Sequence, residues 1–90
     1  MTRRLFVHGR VQGVFYRGWT VATARALGLR GWVRNRSDGS VEMLVHGEAA
    51  QVEAMIAGCH EGPPAARVDR VEVAEDDEEA PAGFEARTTA

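Results

Sequence analysis

The sequence predicts an α+β sandwich in the order β-α-β-β-α-β, with two helices on one face of an antiparallel sheet. Segments of period-two alternation are separated by two segments of helical character, and glycine-rich or proline-rich punctuation falls between them. The length of 90 residues suits one domain, spanning 1–90. A domain this small hides only about 60–65% of its unfolded surface, so its core must be efficient.

The first strand is read over Arg3 to His8, rich in apolar and β-branched residues, and it runs into the glycine loop Gly9-Arg10-Val11-Gln12-Gly13. From Gly18 to Leu27 the sequence GWTVATARAL holds helix formers and no proline, and Gly28 stands where a C-terminal cap is expected. Leu29 to Arg36 alternates: Leu29, Gly31, Val33 and Asn35 share one side, while Arg30, Trp32, Arg34 and Arg36 share the other. Ser37-Asp38-Gly39 makes a hairpin turn to a third strand, in which Val41, Met43 and Val45 alternate with Glu42, Leu44 and His46.

Glu48 to His60 is the clearest helix, because Val52, Met55, Ile56 and Cys59 fall at i, i+3, i+4 and i+7. Gly58 weakens its last turn by roughly 1 kcal/mol relative to alanine, which predicts fraying there. Gly62-Pro63-Pro64 stops it. Arg67 to Ala74 is the fourth strand. The acidic run Glu75 to Glu79 is expected to be a solvated loop, Phe84 to Arg87 a short fifth strand, and Thr88 to Ala90 a frayed end. Two helices so separated can both cover one face of a four-stranded antiparallel sheet, the ferredoxin-like arrangement, leaving the other face to solvent.

Composition narrows the function. The lone cysteine, Cys59, excludes an internal disulfide, sits at a core position of the second helix, and suits a reducing cytoplasm. No apolar run approaches the ~20 residues of a membrane span, and no secretory segment can be read at the start. The net charge of −2 conceals an asymmetry: residues 1–37 carry eight arginines and no acid, and residues 38–90 carry all thirteen acids with three arginines. An anion-binding surface should therefore come from the first part.

The stretch with chemical content is GRVQGVFYR, Gly9 to Arg17. Gly9 and Gly13 permit the backbone angles of a tight strand-to-helix loop, and successive N–H groups at a helix N-terminus make an anion site. Arg17 offers a planar fork that matches two phosphate oxygens at once. By itself the segment also fits a plain strand-to-helix turn, since it is neither a P-loop nor the dinucleotide fingerprint.

Three classes of function suit this scaffold. Metal catalysis lacks ligand spacing, because His8, His46 and His60 are scattered, and no nucleophile elbow surrounds Ser37 or Ser40. RNA binding draws on Trp32, Phe15 and Tyr16 among arginines, but the third strand, Ser40 to His46, has no aromatic residue and the pI is near 5.9. Hydrolysis of a small phosphorylated compound is the third class, with RNA binding as the alternative.

Here the chain resembles the acylphosphatases. The pattern runs through Gly9-Arg10-Val11-Gln12-Gly13-Val14, Tyr16-Arg17, Thr20, Ala24, Leu27-Gly28-Leu29, Gly31-Trp32-Val33-Arg34-Asn35, Asp38-Gly39-Ser40-Val41 and Gly47, over about residues 5 to 74. Tyr16 departs from the phenylalanine usual before the arginine, and its hydroxyl needs a partner. The ending Gly83-Phe84-Glu85-Ala86-Arg87 matches only loosely, which leaves the register of the last strand open. The resemblance implies cleavage of the carboxyl–phosphate bond of a small acyl phosphate, by a cytoplasmic monomer without metal, cofactor, nucleic acid or membrane. It implies that Arg17 and the backbone amides of Gln12, Gly13, Val14, Phe15 and Tyr16 bind the phosphoryl group. Asn35 would hold the attacking water, and inorganic phosphate would be product and inhibitor.

Overall fold

A computed structural model describes residues 1–90. The elements are β1 (Thr2–Arg10), α1 (Tyr16–Ala26), β2 (Arg30–Asn35), β3 (Val41–His46), α2 (Ala49–Cys59), β4 (Arg67–Glu75) and β5 (Phe84–Ala86). The strands form one sheet in the order β4-β1-β3-β2-β5. β1, β3, β2 and β4 pair antiparallel, and β5 joins β2 in parallel. This is the ferredoxin-like α+β arrangement, with a mixed sheet because of the added edge strand.

The period-two reading of the strands sorts their side chains as expected. Leu5 and Val7, Val33, and Val41, Met43 and Val45 lie in one core with Tyr16 and Ala24 of α1 and Val52, Met55 and Cys59 of α2. Cys59 is fully buried and its thiol is pushed up to about 12 by burial, which suits packing and not reactivity. Helix α2 runs through Gly58 to Cys59 without fraying, and Gly58 faces the Trp19 ring. At the end of α1, Gly28 has φ 72°; its N–H donates to the Arg25 carbonyl and the Leu29 N–H to the Ala24 carbonyl, the paired bonds of a Schellman cap.

Besides the fraying at Gly58, four expectations need correction. Helix α1 starts at Tyr16, not Gly18, because Phe15 itself turns the chain, with φ 69° and ψ 23°. Gly9 is not part of the loop: it sits within β1 at a bulge against β4, where a Cβ would lie 2.2 Å from the Arg67 carbonyl oxygen. The end of the chain is not frayed, since the Ala90 N–H donates to the Asn35 carbonyl and an Ala90 oxygen accepts from the Ser37 N–H.

The acidic run is the fourth. Glu75 ends β4, and Asp76 and Glu78 are not free in solvent. Arg4, on the face of β1 away from the helices, donates from each of its three guanidinium nitrogens to a different carboxylate. Its Nε donates to Asp76 at 2.7 Å, Nη1 to Glu42 at 2.6 Å and Nη2 to Glu78 at 2.7 Å. The Trp32 indole N–H also donates to Glu78, at 3.1 Å, and Ala80 packs on Trp32 and Leu44. Sequence periodicity carries no information about such long-range pairing, so the run resembled a solvated tether. Part of the second sheet face is consequently covered. Trp32 is only 2% exposed, with the guanidinium groups of Arg4, Arg34 and Arg87 about its ring, and cannot serve as an open base-stacking platform.

This network makes stability sensitive to acid. Burial opposes ionisation of Glu42, but hydrogen bonds from Arg34 and Arg4 outweigh it and hold the carboxyl below its usual range. Asp76 and Glu78 are also lowered, chiefly by hydrogen bonds from Arg4 and from Trp32 respectively. A carboxyl with a depressed folded-state pKa contributes stability above its unfolded value, about 4, and loses it as pH falls through the folded value. The urea midpoint should therefore hold steady from pH 7 to about 5 and fall progressively below about 4. Asp76→Asn should make that fall shallower; an identical acid profile in this variant would contradict the assignment.

Candidate active site

Strand directions place the site. β1 and β2 both run antiparallel to β3, so their C-terminal ends lie at the same end of the sheet, and Val7 and Asn35 flank Val41 from opposite sides. Where β1 ends at Arg10 the chain passes through residues 11–15 into α1. Asn35 shares the alternation of Gly31 and Val33, hence the face that carries the helices. The loop, the start of α1 and Asn35 must then meet at one corner.

They do. Val11, Gly13, Phe15, Tyr16, Arg17, Gly18 and Asn35 line a cleft of about 160 Å³. No acidic residue lines it, so the Arg17 cation and the positive end of α1 act unopposed at close range. From Gln12 to Gly18 no backbone N–H donates to an acceptor of the protein. Gly13, at φ 73°, supplies a conformation that a side chain would resist.

The supports of this corner are specific. The Gln12 carboxamide nitrogen donates to the carbonyls of Arg36 at 2.8 Å and Ser40 at 2.9 Å, tying the loop to the β2–β3 hairpin that carries Asn35. That hairpin is closed by Asp38, whose Oδ1 accepts from the Ser40 N–H and hydroxyl. Arg17 Nη1 approaches the Arg87 carbonyl at 3.4 Å, a long bond that steadies one corner of the guanidinium and leaves its other donors uncommitted. Thr20 Oγ1 donates to the Tyr16 carbonyl within the first turn of α1.

Tyr16 has the partner that its hydroxyl requires: it donates to the Cys59 carbonyl at 2.7 Å, at the C-terminus of α2. Burial raises its pKa well above the ordinary phenol value, so it remains a neutral donor. Tyr16→Phe should lower unfolding free energy by about 1 kcal/mol, the usual net worth of a buried hydrogen bond, as read by urea denaturation. No measurable loss would show that water replaces the hydroxyl at the end of α2.

Of the residues singled out from sequence, Gly13, Phe15, Tyr16, Arg17 and Asn35 line the cleft. The Gln12 side chain turns to the hairpin, and Val14 packs against the core. The contributions of Val11 and Gly18 to the wall, and of Arg87 to holding Arg17, were not anticipated. Arg87 lies in the part of the chain that departs most from the pattern, and its role is carried by a carbonyl, which no side-chain signal reveals.

A family profile described as Acylphosphatase matches residues 3–86. The chain belongs to the acylphosphatase family. An acylphosphatase of Acidovorax sp. is 58% identical over 99% of this chain and 92% of its own length. One from Rhodospirillum rubrum is 64% identical over 74% of each chain. Among solved structures, the acylphosphatase from Bacillus subtilis superposes with a TM-score of 0.91 at 32% identity, covering 96% of this chain and 97% of that one. Acylphosphatase membership, shared with relatives of the same name, supports enzymatic hydrolysis of acyl phosphates. No helix is long and apolar enough to cross a membrane, and no group of three or more His, Cys, Asp or Glu side chains is arranged to hold a metal ion.

Proposed function

We propose that the chain, within its one domain, cleaves the carboxyl–phosphate anhydride of a small acyl phosphate by direct attack of water on phosphorus. Arg17 and the amides of Gln12, Gly13, Val14, Phe15 and Tyr16 hold the non-bridging phosphoryl oxygens, and Asn35 orients the water. A water oxygen–phosphorus bond forms as the phosphorus–acyl oxygen bond breaks, releasing carboxylate and inorganic phosphate.

The observation that carries this reading is that Arg17 and Asn35 line one acid-free cleft together with Gly13, Phe15 and Gly18, residues of a segment whose backbone N–H groups have no acceptor in the protein. Such fixed donors stabilise charge gathering on the phosphoryl oxygens without having to reorient. A carboxylate leaves readily, so general acid catalysis is dispensable. The neutral Asn35 carboxamide can accept one hydrogen bond from water and present its lone pair to phosphorus, and the substrate's own phosphate oxygens can take up the proton. Fixed positioning supplies the remaining advantage.

On this reading no metal or cofactor takes part, a monomer in the cytoplasm suffices because one chain supplies every group, and phosphate is a competitive inhibitor. The deciding experiment is hydrolysis of benzoyl phosphate in the presence of a chelator, with inorganic phosphate as competitor. Chelator-resistant turnover with competitive inhibition is expected; turnover that needs added divalent metal would overturn the proposed chemistry.

A further inference from the structure

Phe15 is 75% exposed, while the other apolar residues that line the cleft, Val11 and Tyr16, are 1% and 2% exposed. It is also the one residue other than glycine with positive φ, at 69°. Both features run against folding stability: a bulky side chain disfavours the left-handed region, and an aromatic ring in water gives up the gain of burial. A glycine at this position would meet the backbone requirement more easily.

The ring is nevertheless held in a defined place. It lies over Gly18, where a Cβ would stand 2.4 Å from Cε1 and 2.5 Å from Cζ. The absence of a side chain at Gly18 is what allows the ring to settle at the mouth of the cleft. The ring contributes no buried core surface, yet it is seated beside the groups assigned to the phosphoryl oxygens.

In-line displacement adds a direction. If Asn35 holds the water on one side of phosphorus, the acyl oxygen departs on the opposite side and the acyl chain must leave the cleft. The exposed apolar surface in the cleft wall that such a group can meet is the Phe15 ring. We propose that the Phe15 side chain is a specificity-determining platform for the acyl group, favouring acyl phosphates with aromatic or extended apolar acyl groups over acetyl phosphate. This rests on the acyl phosphate reading above and adds a role for the side chain to that of the Phe15 amide. An aromatic pair contributes about 0.5–1.5 kcal/mol beyond area burial, a discrimination of roughly 2- to 12-fold.

The test compares kcat/KM for benzoyl phosphate and acetyl phosphate in the unaltered chain, Phe15→Leu and Phe15→Ala, with the inhibition constant of inorganic phosphate measured in each. The unaltered chain should prefer benzoyl phosphate. The benzoyl-to-acetyl ratio should fall roughly 3- to 10-fold in Phe15→Ala and by less in Phe15→Leu, chiefly through KM. Phosphate, which has no acyl group, should shift by less than the ratio does. An unchanged ratio in variants that still turn over both substrates overturns the platform and leaves hydrolysis standing. A phosphate constant that moves in step with both substrates also overturns it, since Phe15 would then only shape the loop. Failure of the unaltered chain to hydrolyse either compound removes the reading beneath it.

Discussion

Arg17→Lys should lower kcat/KM for benzoyl phosphate by at least ~10²-fold, the scale on which a single preorganised oxyanion donor acts. The substitution keeps the positive charge, so the test separates charge from geometry. A guanidinium can give two parallel hydrogen bonds to two phosphoryl oxygens while another of its N–H groups faces the Arg87 carbonyl, from which Nη1 stands at 3.4 Å. An ammonium is a compact point charge on a flexible stem. It can approach the Arg87 carbonyl or the substrate, but it cannot fix the orientation of both. With no acid lining the cleft, an ammonium here is not drawn away to a competing carboxylate, and any loss belongs to the missing fork. Steady-state kinetics on the purified variant, with its urea midpoint as a control for folding, would measure this. A variant within about threefold of normal would mean that simple charge is enough and that the amide loop does the orienting.

The legible part of the fold was that which depends on local period. Val33 and Asn35 fell on one face of β2 and Trp32 and Arg34 on the other because strand alternation is strict, and Gly28 and Gly39 marked turns because each takes positive φ. The meeting of Arg17 with Asn35 followed from the same arithmetic once the strand order was accepted. Contacts between distant segments were not legible. Arg4 reaches Asp76 and Glu78 more than seventy residues away, and a carboxylate in a run of five acids gives no sign of which one will be paired. The left-handed turn at Phe15 was also hidden, because phenylalanine is a poor choice for that conformation. Sequence preference failed there at a residue of the cleft itself, which agrees with the binding role proposed for it.

Asn35→Ala should reduce kcat by about 10²-fold, the loss that misplacing a reacting group can bring, while changing the phosphate inhibition constant by less than about twofold. The backbone at this position is held independently of the side chain: Asn35 pairs with Val41 in the β2–β3 ladder, and its carbonyl accepts from the Ala90 N–H at 3.0 Å. Truncation should therefore remove the carboxamide without moving the strand or the loop, which Gln12 still ties to the hairpin through the Arg36 and Ser40 carbonyls. Phosphate affinity then continues to depend on Arg17 and the amides, whereas the attacking water loses the group that orients it. The split between kcat and affinity separates two roles that the shared cleft alone does not distinguish. If affinity for phosphate falls as far as kcat does, Asn35 is a ligand of the anion, and the water must be held by the substrate's oxygens and the loop.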